Sequence, residues 1–167
     1  MDQTGPMISE HLAAALRDAG LRWQPAAGDR FVIPQPELAG ELFTLSEMTI
    51  EAREYPTGTI LGFNGTTEWA MDSVAQEDAL WMPREDQLRD KLGGTFVSLS
   101  RMPATHGAHA ATHGAHAAGD GATGATWSVT TSTPSGDEAV HRASTAADAY
   151  ALALLALIDR ALDGAVL

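Results

Sequence analysis

Four histidines, His106, His109, His113 and His116, lie inside two consecutive copies of the heptad Ala-Thr-His-Gly-Ala-His-Ala, over Ala104–Ala110 and Ala111–Ala117. Neutral imidazole is a common zinc and nickel ligand, and a pliant loop could wrap several rings around one ion. Against this, fixing a Gly/Ala-rich segment costs about 1–2 kcal/mol per residue. An unchanged tandem copy is also what duplication of a short DNA segment leaves in a tolerant loop. A second grouping, Glu68 and Asp72, is spaced four apart, so on a helix both carboxylates share a face. Such a pair can hold Mg²⁺ or divide general-acid and general-base work. Carboxylate-held Mg²⁺ usually also needs a substrate phosphate, and neither a Gly-rich phosphate loop nor a basic cluster lies nearby. The plainer account is a solvated face on an acidic helix. Asn64 opens this region, and Trp69 and Trp81 flank it. Tryptophan is enriched where proteins bind partners, although it is first a core residue whose N–H needs an acceptor. Asn64, Glu68, Trp69, Asp72 and Trp81 are therefore the binding candidates. At least two of the four tryptophans are expected in the core.

The chain has no cysteine, which removes disulfides, thiolate metal sites and a cysteine nucleophile together. Outside the repeat only His11 and His141 are available as bases, and no nucleophile elbow, Walker loop, zinc-protease helix or dinucleotide fingerprint is present. No catalytic residue is assigned and no cofactor is expected. The 22 acids and 10 bases give a net charge of −12. Nucleic acid and anionic lipid are poor partners for such a surface, because both are bound by Lys and Arg neutralising phosphate.

These groups must be positioned by one domain, since 167 residues allow a proper core but not two comfortable ones. Met1–Pro6 reads as a loose leader without the basic and apolar regions of a signal peptide. The first helix has Ser9 as its cap, Ile8 as a staple, Leu12, Ala15, Leu16 and Ala19 on one face, and Gly20 at its stop. Strands are predicted over 31–33, 42–45 and 48–52, and Tyr55-Pro56-Thr57-Gly58 has turn chemistry that returns Thr59–Phe63 as a hairpin. A short helix capped by Thr66 or Thr67 should run through Val74. The next, Arg84–Leu92, starts on Pro83 and ends on Gly93-Gly94. Strands at 96–99, 127–131 and 139–143 follow. The last helix opens at Thr145, with Asp148 at capping-box spacing, and runs to about Leu162. Between Ala149 and Ile158 it has no charge, so a homodimer sharing this helix is expected. The insert 104–126 has no large apolar side chain and is expected to be disordered.

The runs Leu61–Ala70 and Trp81–Arg89 resemble small actinobacterial proteins named as CpaE pilus-assembly proteins, over most of Met7–Leu162 apart from the insert. The closing Trp127-Ser128-Val129 strand and the Ala/Leu-rich helix after it also resemble short uncharacterised bacterial and phage proteins. The pilus name implies a ParA/MinD-type ATPase with a Gly-Lys phosphate loop; this chain has no such loop and its only lysine is Lys91. The resemblance carries no residue roles over.

The sequence thus predicts an α+β fold: antiparallel sheet with the N-terminal and C-terminal helices packed on it, over 7–163. The leading functional expectation is a small acidic cytoplasmic protein acting as a non-catalytic protein-interaction or regulatory module. A metal-dependent hydrolase built on Glu68 and Asp72, or a metal-handling protein using the histidine loop, are the alternatives.

Overall fold

The computed structural model describes residues 7–46, 49–63, 73–103 and 125–164. The fold is α+β, with its described strands divided among three antiparallel sheets of three strands each. In chain order the elements are α1 (Glu10–Asp18), β1 (Arg30–Val32), β2 (Phe43–Thr44), β3 (Ile50–Tyr55), β4 (Gly58–Phe63), β5 (Ser73–Ala75), β6 (Leu80–Trp81), α2 (Glu85–Leu92), β7 (Phe96–Met102), β8 (Thr126–Ser132), β9 (Glu138–Ala143) and α3 (Ala146–Gly164).

Alternation along β1 explains how the sheets stack. Phe31 points into one apolar cluster with Phe43, Leu61 and Val74, which joins the β2-β1-β6 sheet to the β3-β4-β5 sheet. Its neighbour Val32 points the other way, with Leu80, into a second cluster built from Leu12, Leu16, Leu88, Val129 and the alanines of α3. The small sheet is thus clamped on both faces.

Val74 corrects one sequence expectation. It lies in β5 opposite Leu61, buried, and does not end a helix. A β-branched side chain facing an apolar cross-strand partner favours the pleated state. Helix ends also shift slightly. Pro83 precedes the N-cap of α2, which is Arg84, and does not occupy its first turn.

Ser9 occupies the N-cap position of α1, yet its side chain makes no capping bond there. Instead its backbone N–H and its Oγ–H both donate to Asp148 Oδ1, at 2.7 and 3.0 Å. Asp148 N–H in turn donates to Thr145 Oγ1 at 3.1 Å, which is half of the expected capping box. One carboxylate therefore sits in the first turn of α3 and against the start of α1. Negative charge is favoured at both ends by the helix dipoles.

The first half of α3 is enclosed by its own chain. Ala149, Ala151 and Ala153 are buried, and α1, α2, β8 and β9 all pack against the helix. Small side chains let these elements approach on several sides at once, where a sheet alone would cover one. Its second half is more open: Leu155 and Ile158 are half-buried and Leu162 is 56% exposed. No helix among the described residues is long and apolar enough to cross a membrane.

β7 and β8 close with Met102 opposite Thr126. Thr126 therefore belongs to the sheet, and the chain leaves and re-enters this hairpin at adjacent points. Replacing 104–124 with a short Gly/Ser turn should leave the thermal midpoint within a few degrees, since each doubling of loop length costs only about 0.6 kcal/mol. Loss of the cooperative transition on that replacement would contradict it.

His141, opposite Val129 in β9, has its imidazole pKa lowered by burial and secondarily by the Arg160 charge. A folded state that resists protonation loses stability once the unfolded chain begins to bind the proton. The contribution is intact above about pH 6.5 and is lost as pH falls toward and through the folded value. A His141→Gln variant should therefore gain thermal midpoint relative to the parent at pH 5 compared with pH 7.5. An offset that does not change with pH would rule this out.

Candidate functional site

The end of α1 sets one wall of a cleft. Leu21 N–H donates to Leu16 O and Gly20 N–H to Arg17 O, both at 2.9 Å, around Gly20 at φ +98°. This is the Schellman pattern, in which a left-handed glycine satisfies the last carbonyls of a helix. It turns the chain sharply and delivers Arg22 and Trp23 alongside Leu16 and Leu21. The opposite wall is the β3–β4 hairpin tip, Thr57–Ile60, with Ala75–Glu77. Edge strand β6 closes it with Leu80 and Trp81. The cleft encloses about 470 Å³, within the range of about 300–1,000 Å³ common for ligand pockets.

Trp23 and Trp81 stand nearly parallel, with 3° between their planes and 6.4 Å between their centroids. Trp23 also meets Phe31 at 5.7 Å, and Phe31 meets Phe43 at 5.4 Å, so the cleft continues into the core as a chain of aromatic contacts. Two hydrogen bonds hold Trp23 in place. Its Nε1–H donates to Asp29 Oδ2 at 2.9 Å, and its carbonyl accepts from Gln76 Nε2 at 2.8 Å across the cleft.

Asp29 is the buried support behind this wall, at 2% exposure. Oδ2 accepts from Trp23 Nε1 and from Ala26 N, each at 2.9 Å, and Oδ1 accepts from Gln87 Nε2 at 2.6 Å. The Arg84 guanidinium lies 3.7 Å from Oδ1 and donates to Gly28 O at 3.0 Å. Gln87 completes the junction by accepting from Arg84 N–H at 3.0 Å, which also caps α2. Asp86 raises the already high pKa of Arg84 further through its side-chain hydrogen bond, while Arg84 lowers that of Asp86. Such satisfaction makes a buried carboxylate tolerable.

Of the residues singled out from sequence, Trp81 lies in this cleft. Asn64, Glu68, Trp69 and Asp72 are outside the described residues, as are His106, His109, His113 and His116. Among the described residues no three His, Asp or Glu side chains gather as a metal ion would require. None of the three described tryptophans is fully enclosed: Trp23 and Trp127 pack against the clusters from outside, and Trp81 is half-buried. An indole that lines a cleft or a sheet edge keeps one side out of the core, which the count of tryptophans does not reveal.

Asp29 and Trp23 were missed as site residues. A signal existed for β6, because the apolar run Ala79–Met82 closed by Pro83 fits a short buried strand. Nothing local marks Asp29, whose partners other than Ala26 come from 6 to 58 residues away. No known family, curated protein or solved structure matches the chain.

The two indoles differ in one respect that mutation can read. Trp81 Nε1 is buried with no acceptor among the described residues, whereas Trp23 Nε1 serves the Asp29 carboxylate. Trp23→Phe should cost about 1–3 kcal/mol, because it strips a bond from a buried charge. Trp81→Phe removes no bond and should cost less than about 1 kcal/mol. Urea titration of both variants decides it, and equal losses would contradict the assignment.

Proposed function

We propose that the protein is a non-catalytic interaction module that holds a partner protein in the cleft between α1, β6 and the β3–β4 hairpin tip. The observation that carries this reading is the pair of parallel, half-buried tryptophans on an open concave wall. Aromatic anchors of this kind dominate binding energy where they are only partly covered by their own chain. Their support is rigid, since Asp29 and Gln76 fix Trp23 from two directions, and preorganised side chains lose little entropy on binding. The test is quantitative capture from the native cells with the parent protein, a cleft-filling Thr59→Trp variant and a distant Val140→Thr control. The reading expects a partner retained by parent and control and lost by Thr59→Trp. An identical set of captured proteins for all three would overturn it.

The open end of α3 supports a second reading, self-association. Leu155, Ile158 and Leu162 recur at i, i+3 and i+7 and so share one helix face, and that face is only half covered. Sedimentation equilibrium at micromolar concentration tests the homodimer. A 17.6 kDa species throughout would reject it.

A further inference from the structure

We infer that the occupant of the cleft is an extended peptide segment, carrying an acidic side chain next to an aromatic or large apolar one, that adds as a strand to β6. This rests on the interaction-module reading above and specifies its ligand.

Met82 N–H donates to Arg30 O at 2.8 Å, and Phe31 faces Trp81 one step along the same antiparallel pair. Residues in such a ladder alternate between pairs that exchange both bonds and pairs that exchange none. Trp81 therefore belongs to a pair that exchanges none, and its N–H and C=O point away from β1. On that side no further strand of the sheet follows among the described residues. A donor and an acceptor on one residue, with no partner for either among the described residues, fit a peptide backbone, because one residue of an incoming antiparallel strand satisfies both at once.

Side-chain alternation then sets the pattern of the segment. The residue opposite Trp81 places its side chain on the same face as Trp81 and Trp23, where an aromatic or large apolar group gains most. The residues before and after it point to the other face, which Leu80 shares with α1. Arg17, at the end of α1, and Arg22 both line the cleft, and Glu77 is the acid among its lining residues. Arg22 has no ion pair or hydrogen bond among the described residues, and Arg17 pairs with Asp18 only at the exposed surface. Arg22 is thus a cation in the lining with no counter-charge among the described residues, on a molecule of net charge −12. Complementarity calls for a carboxylate there, and against this background it also excludes most other acidic surfaces by requiring the apolar anchor beside it.

The probe is a random heptapeptide library displayed on phage and panned on the full chain, with counter-selection on Thr59→Trp. Enriched peptides should place Asp or Glu directly beside an aromatic or large apolar residue. A representative synthetic peptide should quench or shift tryptophan fluorescence. It should lose at least about tenfold in affinity when the anchor residue's amide is N-methylated, and similarly against Arg22→Glu, whose exposed side chain places no demand on folding. A basic consensus, an i, i+3, i+4 helical pattern, unchanged affinity after N-methylation, or no cleft-dependent enrichment would each overturn strand addition. If strand addition fails while capture still yields a partner lost by Thr59→Trp, only this inference falls. If no cleft-dependent partner is captured, the underlying reading falls with it.

Discussion

Asp29→Ala should destabilise the protein by about 3–5 kcal/mol, the cost expected when a buried, fully paired charge is removed from its partners. The carboxylate accepts from the Trp23 indole, the Ala26 amide and the Gln87 side chain, so its loss strands three donors at a part-buried junction. Arg84 also loses its nearby counter-charge, although that side chain is more exposed and the 3.7 Å pairing contributes less. Removing the buried charge recovers some desolvation energy, which keeps the figure below the sum of three lost bonds. A domain of this kind has about 5–15 kcal/mol in total, so the loss is a large fraction of its stability and should lower the urea midpoint markedly. Asp29→Asn keeps the shape but turns one acceptor into a donor facing another donor, and should fall between parent and alanine variant. Urea titration read by tryptophan fluorescence gives both numbers. A loss below about 1 kcal/mol for Asp29→Ala would show that the network is not the support described.

The second large effect is expected at Phe31. Its ring is fully buried and touches Trp23 and Phe43, while its backbone faces Trp81 across the ladder. Phe31→Ala leaves a cavity where the β2-β1-β6 sheet meets the β3-β4-β5 sheet, and phenylalanine truncation in a core costs about 3–5 kcal/mol. The cost should come with a functional signature, because Trp23 loses the surface it leans on. Tryptophan emission should shift to the red under conditions where circular dichroism still reports a folded chain. Phe31→Leu fills most of the volume and should cost about 1–1.5 kcal/mol. Equal losses for the two variants would mean that packing at this point does not depend on the ring.

These two residues show different degrees of legibility in sequence. Phe31 sits in Phe31-Val32-Ile33 before Pro34, and the apolar run alone marks it as a strand in the core. Asp29 sits in a Gly-Asp pair that reads as an ordinary turn. Its burial follows only when Trp23, Ala26 and Gln87 converge on it: Trp23 folds back from the start of the same loop and Gln87 arrives from α2.

The sequence by itself determined the local elements with strong periodicity or punctuation. Gly20 announces the end of α1, Tyr55–Gly58 the hairpin turn, Ser135-Gly136 the return into β9, and the Ala/Leu run the last helix. Each depends on backbone preferences within a few residues, so no distant partner is needed to read them. Tertiary structure decided everything that depends on which surfaces meet. It diverted the Ser9 hydroxyl from its own helix to Asp148, because that carboxylate serves both helix starts. Val74 became part of a strand, because Leu61 offered a cross-strand partner. The alanine side of α3 was enclosed by α1 and α2. The cleft belongs to the same class: Trp23 and Trp81 are 58 residues apart in sequence, and their rings stand parallel only because Trp23 packs on the Phe31 cluster while β6 pairs with β1.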